Sequence, residues 1–158
     1  MDAKLKKFLE ANKIKFKLHE HKKVFTAHDE AQTQHVKTKE IAKVVLVKVG
    51  KSFALVVIPA QKYVDFVKVK KVLRASLPAG EAGKVSMARE SDITKILKTK
   101  IGLIHPFGNL FKLPTLLDNS LAKQKQIIAS AGSYTESLEI KSSDFLKSVQ
   151  PLKGSFSK

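Results

Sequence analysis

The sequence predicts one mixed α/β domain in which helices surround a central mixed, largely antiparallel sheet. The chain has 158 residues, 43% of them hydrophobic, which is enough for one sizeable core. Two β-branched runs, AKVVLVKV and SFALVVIP, flank Gly50 and Lys51 and predict an antiparallel hairpin at the centre of the sheet. The other predicted strands are interleaved with helices, a mixture that argues against a doubly wound parallel fold.

Three predicted elements precede this hairpin. The stretch DAKLKKFLEANK has apolar residues at helical spacing, with Asp2 as its N-cap. IKFKLHE alternates between apolar and polar residues, which predicts a half-buried strand with a basic outer face. TAHDEAQTQ predicts a short polar helix that begins near Thr26, because Asp29 follows at the spacing of a capping box.

Further helices and strands follow the hairpin. DFVKVKKVLRASL predicts a basic amphipathic helix, and SDITKILK predicts a shorter helix capped by Ser91. LPTLLDNSL, QIIASAG and SLEIK predict strands, and SSDFLKSV predicts a closing helix capped by Ser142 or Ser143. We expect the domain to span residues 1–150 and residues 151–158 to form a frayed C-terminal tail.

The chain is strongly basic, with 30 Lys and Arg against 14 Asp and Glu and a formal net charge of +16. Residues 1–75 carry 18 basic and 7 acidic side chains (+11), and residues 76–158 carry 12 and 7 (+5). A chain with this positive charge is expected to attract polyanions, with nucleic acid as the first candidate and an anionic membrane as the second. Only two of the cations are arginine, so the pattern favours backbone contact with a shaped RNA over reading a DNA sequence. A solvated lysine-rich surface is the alternative.

Several chemistries are excluded by what the sequence lacks. The absence of cysteine excludes disulfides, thiolate catalysis and Cys-based zinc sites. The five histidines do not have metal-ligand spacing, and there is no G-x-S-x-G, P-loop or G-x-G-x-x-G motif. We therefore expect neither a metal nor a cofactor. The N-terminus lacks the apolar core of a signal peptide, and no apolar run reaches the ~18 residues of a membrane span, so we expect a cytoplasmic protein.

Three places in the sequence could carry chemistry. Lys43 precedes four apolar residues of a predicted strand, so its ammonium could be partly desolvated and face a phosphate or carbonyl oxygen, or could simply reach water. In GLIHPFGN, two glycines permit unusual backbone geometry and Pro106 stiffens the turn, as either a ligand-holding loop or a plain corner would require. SAGS, residues 130–133, brings small residues to the end of a strand.

These stretches, taken in order, resemble the YbaK family of aminoacyl-tRNA deacylases, which includes the editing domain associated with prolyl-tRNA synthetase. The resemblance covers about residues 4–149 and rests on TAHDEA, IAKVVLVK, VVIPAQKYVD, GLIHPFG, LPTLLDNSL and ASAGSYTESLEIKSSDFL. It implies a compact mixed-sheet domain that hydrolyses, in trans, the ester joining a wrong amino acid to tRNA. It also implies that the terminal ribose hydroxyl of the tRNA assists the attacking water. The implied partners are tRNA and, as a further candidate, an aminoacyl-tRNA synthetase.

The resemblance also implies roles for individual residues. Lys43 would hold a phosphate of the terminal adenosine or orient the ester, while the backbone from Gly102 to Pro106 would grip the aminoacyl group and position the water. Ser130 and Gly132 would line the same pocket, whose small size would admit a small misacylated residue such as alanine, serine or cysteine. The remaining predicted substrate contacts are Thr26, His105, Phe107, Gly108, Ser133 and Glu136.

Three of these residues have more than one interpretation. Several relatives have a histidine where this chain has Glu136, whose carboxylate could bind the substrate's α-ammonium or point to solvent. His105 lies at a variable position of the loop and is predicted to affect specificity, whereas Phe107 could pack or stack on substrate. The sequence also leaves open a non-catalytic RNA-binding module of the same fold, and a regulator that binds a protein or an anionic membrane.

Overall fold

A computed structural model of the chain describes residues 1–20, 38–76 and 83–158. Its α-helices are α1 (Ala3–Ala11), α2 (Phe66–Ser76), α3 (Glu90–Asp92), α4 (Asn119–Ala122) and α5 (Ser142–Val149). Its strands are β1 (Phe16–Glu20), β2 (Ala42–Val49), β3 (Ser52–Pro59), β4 (Val85–Met87), β5 (Thr115–Asp118), β6 (Gln126–Ser130), β7 (Glu136–Lys141) and β8 (Leu152–Gly154). Short 3₁₀ segments cover Thr38–Glu40 and Gly108–Phe111, and a π-helical segment, Ile93–Leu97, continues α3. In these described ranges, no helix is long and apolar enough to cross a membrane.

The strands form two sheets, so the prediction of a mixed α/β domain is confirmed. The larger sheet has the order β4-β2-β3-β5-β8, with the predicted β2–β3 hairpin at its centre. Its β4–β2–β3 part is antiparallel, and its β3–β5–β8 part is parallel. The smaller sheet, β1-β7-β6, is antiparallel throughout. A parallel bridge joins Ile41, just before β2 of the larger sheet, to Ile128 of β6, an edge strand of the smaller sheet.

The core lies on both faces of the larger sheet, because the side chains of β2 alternate between them. One face packs against α2, whose Val69 and Leu73 are fully buried or nearly so. On this face lie Val45, Val47 and Val49. The other face carries Ala42, Val44 and Leu46 and packs in clusters that include α1, α5 and the loop after the π-helical segment.

The helix starts show which predicted caps are right. Asp2 caps α1, since its Oδ1 accepts a hydrogen bond from the Leu5 N–H at 3.0 Å. The predicted Ser91 cap is wrong, because α3 begins one residue earlier and the Asp92 carboxylate accepts from the Arg89 N–H. The prediction that Ser142 or Ser143 caps the closing helix is also wrong. Strand β7 runs directly into α5, so its last residue, Lys141, takes the N-cap position without a side-chain hydrogen bond.

The prediction of a frayed C-terminus is wrong. Residues of β8 pair in parallel with β5, which otherwise would be an open edge, and Phe156 is fully buried. The carboxylate of Asp118 accepts hydrogen bonds from the Phe156 N–H and the Ser157 hydroxyl, both at 2.9 Å. Burial alone would raise the pKa of Asp118, but these bonds and those from Ser120 outweigh it and lower the pKa. The last residues are therefore part of the core.

Candidate functional site

Four polar residues lie in a row across the smaller sheet and onto the larger one. His19 pairs with Ser137, and Ser137 pairs with Ser130, so the three stand side by side on one face. Beside β6, the bridge joins Ile41 to Ile128, and Lys43 and Ser130 are each two residues beyond it. Side chains repeat every second residue along a strand, so Lys43 shares the face of Ser130. We call His19, Ser137, Ser130 and Lys43 the polar row.

His19 has an acidic partner next to the row. Its Nε2 lies 3.0 Å from Oε1 of Glu139, and Lys17 Nζ lies 3.9 Å from the other carboxylate oxygen. When Nε2 carries the proton and donates it to Glu139, Nδ1 is left as an acceptor. Residue spacing excluded His19 as a metal ligand and gave no signal for Glu139. Alternation had put His19 on the polar face, but the pairing register that supplies Glu139 is not visible in the sequence.

Lys43 is half-buried, and this burial lowers the pKa of its ammonium. Its Nζ lies 4.7 Å from the centroid of the Tyr63 ring, a cation–π contact with a side chain that is 72% exposed. Within the described part of the chain, no carboxylate lies within 4.0 Å of this ammonium. The ammonium is therefore partly desolvated and has no described counter-ion, which favours binding of an anion or a polarised carbonyl oxygen.

The predicted SAGS turn follows β6 and is held by hydrogen bonds from its own serine side chains. Ser130 is 9% exposed, and its Oγ accepts a hydrogen bond from the Gly132 N–H at 3.1 Å. Gly132 has φ +87°, and a Cβ there would lie 2.9 Å from the Cβ of Asp2. Ser133 Oγ accepts from the Thr135 N–H at 3.1 Å. Both serine hydroxyls thus shape the turn, and the turn requires glycine at 132.

The start of the chain links this turn to the GLIHPFG loop. The Asp2 N–H donates to the Ala131 carbonyl at 2.8 Å, and the amino group of Met1 contacts the Glu136 carboxylate. Asp2 also acts electrostatically on His105 of the loop. Glu136, which was predicted to face a substrate ammonium or solvent, is thus paired with an ammonium of the chain itself.

His105 is 3% exposed and neutral at physiological pH. Burial lowers its pKa to about 4, although the charge of Asp2 acts in the opposite direction. Its ring stacks on Phe111 with centroids 4.7 Å apart, and its Nδ1 accepts a hydrogen bond from the Phe107 N–H at 3.3 Å. In this conformation His105 fixes the shape of the loop.

The second half of the GLIHPFG loop is a structural corner. Phe107 is fully buried and makes edge-to-face contacts with Phe8 and Phe145, as its interpretation as a packing residue predicts. Pro106 is buried beside it, and a Cβ on Gly108 would lie 2.1 Å from the Thr115 Oγ1. Glycine is therefore required at 108 by close packing. Gly102, at the start of the loop, is exposed and has φ +85°.

The predicted site residues fall into two groups. Lys43 and Ser130 share the face of the polar row, whereas Phe107 packs with Ala42 on the opposite face of β2. Gly132, Ser133 and Glu136 lie where β6 turns into β7, so they adjoin both groups. Thr26 lies outside the described residues. In the ranges that the structure describes, no group of three or more His, Cys, Asp or Glu could hold a metal ion.

The fold and the polar row together define a small mixed α/β domain in which two half-buried side chains, Lys43 and His19, flank two buried serines where the two sheets meet. The hypothetical protein APE2540 has this fold, with a TM-score of 0.85, 20% identity, and coverage of 98% of this chain and 99% of that one. A candidate trans-editing enzyme for prolyl-tRNA synthetase matches with a TM-score of 0.80 and 16% identity over 100% of this chain and 99% of its own. A scaffold from computational epitope grafting matches with a TM-score of 0.81 and 16% identity, also over the whole chain.

The sequence itself identifies the family. The chain belongs to the aminoacyl-tRNA editing domain family, whose model matches residues 21–148. This confirms the family resemblance that the sequence analysis found in the ordered stretches from TAHDEA to DFL.

Proposed function

We propose that this chain is a deacylase that acts in trans, in the cytoplasm, on a mischarged aminoacyl-tRNA of the prolyl system. Family membership and the net charge of +16 support this proposal. The observation that carries it is the polar row, because the row brings a lysine without a counter-ion among the described residues, a serine hydroxyl and a histidine–carboxylate pair to one face of the sheet.

Lys43 supplies the electrostatic part of the proposed reaction. Attack of water on an ester places negative charge on the carbonyl oxygen, and a partly desolvated ammonium stabilises that charge more strongly than water does. The same ammonium can instead neutralise a phosphate at the 3′ end of the tRNA. Both uses fit a lysine that has an aromatic neighbour and no described counter-ion.

His19 and Glu139 supply the proton transfer. We assign Nδ1 of His19 as the acceptor of the proton that the attacking water loses, with Nε2 held by Glu139. The ester C–O bond to the ribose then breaks, and the departing ribose oxygen takes the proton from His19. The family resemblance gives the same task to the terminal ribose hydroxyl. A His19→Gln variant separates the two assignments, because only the first predicts a large loss of kcat.

The choice of amino acid would be made by size. The SAGS turn is tightly packed, since a Cβ on Gly132 would lie 2.9 Å from the Asp2 Cβ, and such a wall favours alanine, serine or cysteine over larger residues. His105 is buried and stacked, so it would act on specificity by holding the loop and not by contact.

Deacylation of alanyl-, seryl- and cysteinyl-tRNA tests the proposed function. We expect turnover of at least one of them by the native chain, and kcat/KM lower by about 10²–10³-fold in Lys43→Ala, the usual effect of losing an oxyanion-stabilising donor. Lys48→Ala, an exposed lysine of the same strand, is the matched control and should keep its activity. Release at the spontaneous rate for all three substrates, with salt-dependent tRNA binding intact, would instead favour the non-catalytic RNA-binding module.

A further inference from the structure

A second basic site lies at the other end of strands β6 and β7. A cleft of about 630 Å³ opens there between the residues after α4, the start of β6 and the start of α5. Three lysines line it, Lys123, Lys125 and Lys141, all exposed. In the part of the chain that the structure describes, none of these three has a carboxylate within 4.0 Å.

The N-terminus of α5 adds partial positive charge to this cleft. The helix has eight residues, and its N-cap residue, Lys141, makes no side-chain hydrogen bond to the first turn. The Ser142 N–H donates to the Lys125 carbonyl at 3.0 Å, but an uncapped helix still presents further backbone N–H groups. Two carboxylates oppose this field: Asp144 in the first turn, and Glu40, whose Oε2 accepts a hydrogen bond at 2.7 Å from Gln126 of the cleft lining. The cleft therefore combines three full positive charges and a helix terminus against these two carboxylates.

An unpartnered hydroxyl points independently to a ligand. Ser142 lines the cleft and is 4% exposed, yet its Oγ has no hydrogen-bond partner among the described residues. Leaving a buried hydroxyl unpaired costs about 1–3 kcal/mol, so native structures seldom keep one without a reason. A rotation about one side-chain bond is enough to redirect a serine hydroxyl toward a bound acceptor oxygen.

The position of the cleft relates it to the polar row. Gln126 and Lys141 pair directly across β6 and β7, on the face that also carries Ser130 and Ser137. Four residues of strand separate Gln126 from Ser130, which is about 14 Å at ~3.4 Å per residue. A stacked nucleic-acid strand carries one phosphate per ~3.4 Å along its axis, so this span corresponds to roughly four nucleotides.

We propose that this cleft binds a backbone phosphate of the RNA, about four nucleotides from the 3′ end whose ester is held at the polar row. The proposal rests on the proposed function for its choice of RNA. Lys125 and Lys141 neutralise the phosphate, and the Ser142 hydroxyl and the free N–H groups of α5 donate to its oxygens. The site thereby sets how far the 3′ end reaches along the sheet.

Binding of an uncharged RNA hairpin with a single-stranded 3′ overhang of four nucleotides tests this site without requiring hydrolysis. For Lys125→Ala/Lys141→Ala we expect the slope of log affinity against log salt to fall by roughly 0.7, which is the contribution of one single-strand phosphate contact. Extrapolated to equal binding at 1 M salt, that slope corresponds to about 5-fold weaker binding at 0.1 M. The control Lys95→Ala/Lys153→Ala removes two exposed lysines that do not line the cleft.

Two further measurements sharpen the test. Ser142→Ala should weaken binding of the hairpin while its thermal stability stays equal or rises, because the variant removes an unpaired buried hydroxyl. A dinucleotide, too short to span 14 Å, should bind the lysine double variant and the native chain alike. If the cleft and control variants bind the hairpin with equal affinity and the same dependence of log affinity on log salt, the proposed phosphate site is refuted. If the cleft variants bind the hairpin more weakly but the native chain shows no deacylation, the phosphate site is supported and the proposed deacylase function is refuted.

Discussion

Replacing Gly132 by alanine perturbs the point where the SAGS turn meets the start of α1. The residue has φ +87°, a conformation that costs an L residue roughly 1–2 kcal/mol. The added Cβ would also lie 2.9 Å from the Asp2 Cβ and 3.3 Å from the Asp2 nitrogen. Relief of that overlap requires Asp2 to move, which weakens its hydrogen bonds to Ala131 and to the Leu5 N–H, and loss of such an N-cap costs about 1 kcal/mol.

Together these effects predict that Gly132→Ala lowers the free energy of unfolding by roughly 2–3 kcal/mol. Urea denaturation monitored by circular dichroism measures it. The matched control is Gly102→Ala, which has φ +85° but is exposed and should carry only the backbone cost of roughly 1–2 kcal/mol. In a double-mutant cycle, Asp2→Ala should be less costly in the Gly132→Ala background than alone. Equal losses in the two glycine variants, or full additivity with Asp2→Ala, would refute the proposed contact.

Three further predictions concern the core and its titration. Phe156→Ala should cost about 3–5 kcal/mol in urea denaturation, as for other buried phenylalanines, and a loss below 1 kcal/mol would restore the idea of a frayed tail. The folded-state pKa of His105, about 4, is depressed, so the unfolded chain binds more protons between pH 6.5 and pH 4. Stability should therefore fall by about 3 kcal/mol as pH drops through that window, and His105→Gln should show a flatter melting-temperature profile there. The pKa of Asp118 is also lowered, so its carboxylate contributes fully to the free energy of unfolding above its unfolded-state pKa. This stabilisation is lost as pH falls through the folded-state pKa. Asp118→Asn should therefore be destabilised most at neutral pH and should approach the stability of the native chain in acid.

Local patterns predicted much of the secondary structure because each depends on neighbours along the chain. The β-branched runs around Gly50 fold as the β2–β3 hairpin, and the apolar spacing of DFVKVKKVLRASL buries Val69 and Leu73. The caps at Ser91 and Ser142 were wrong because the ends of helices depend on what the preceding residues do. At α5, β7 extends to Lys141 and leaves no separate capping residue.

The candidate site was only partly visible in the sequence. Lys43 and Ser130 were identified by local signals, a lysine before an apolar run and small residues after a strand. Their shared face, and the addition of His19 with Glu139, follow from the antiparallel register of β6 with β7 together with a parallel bridge and a second antiparallel register, both of which join segments more than 80 residues apart. Periodicity assigns a side chain to a face of its own strand, but it does not say which strand lies next to it.

The sequence by itself determined the fold class, the basic character, the editing-domain family and the stretches that could carry chemistry. Each of these is a property of composition or of short-range order. The tertiary structure decided that Phe107 and Phe156 are core residues and that a buried, neutral His105 holds the GLIHPFG loop. It also placed the polar row and the lysine cleft on one face of the smaller sheet. These outcomes depend on burial and on pairing between distant segments, and the free energies of both are set by contacts that exist only once the chain has folded.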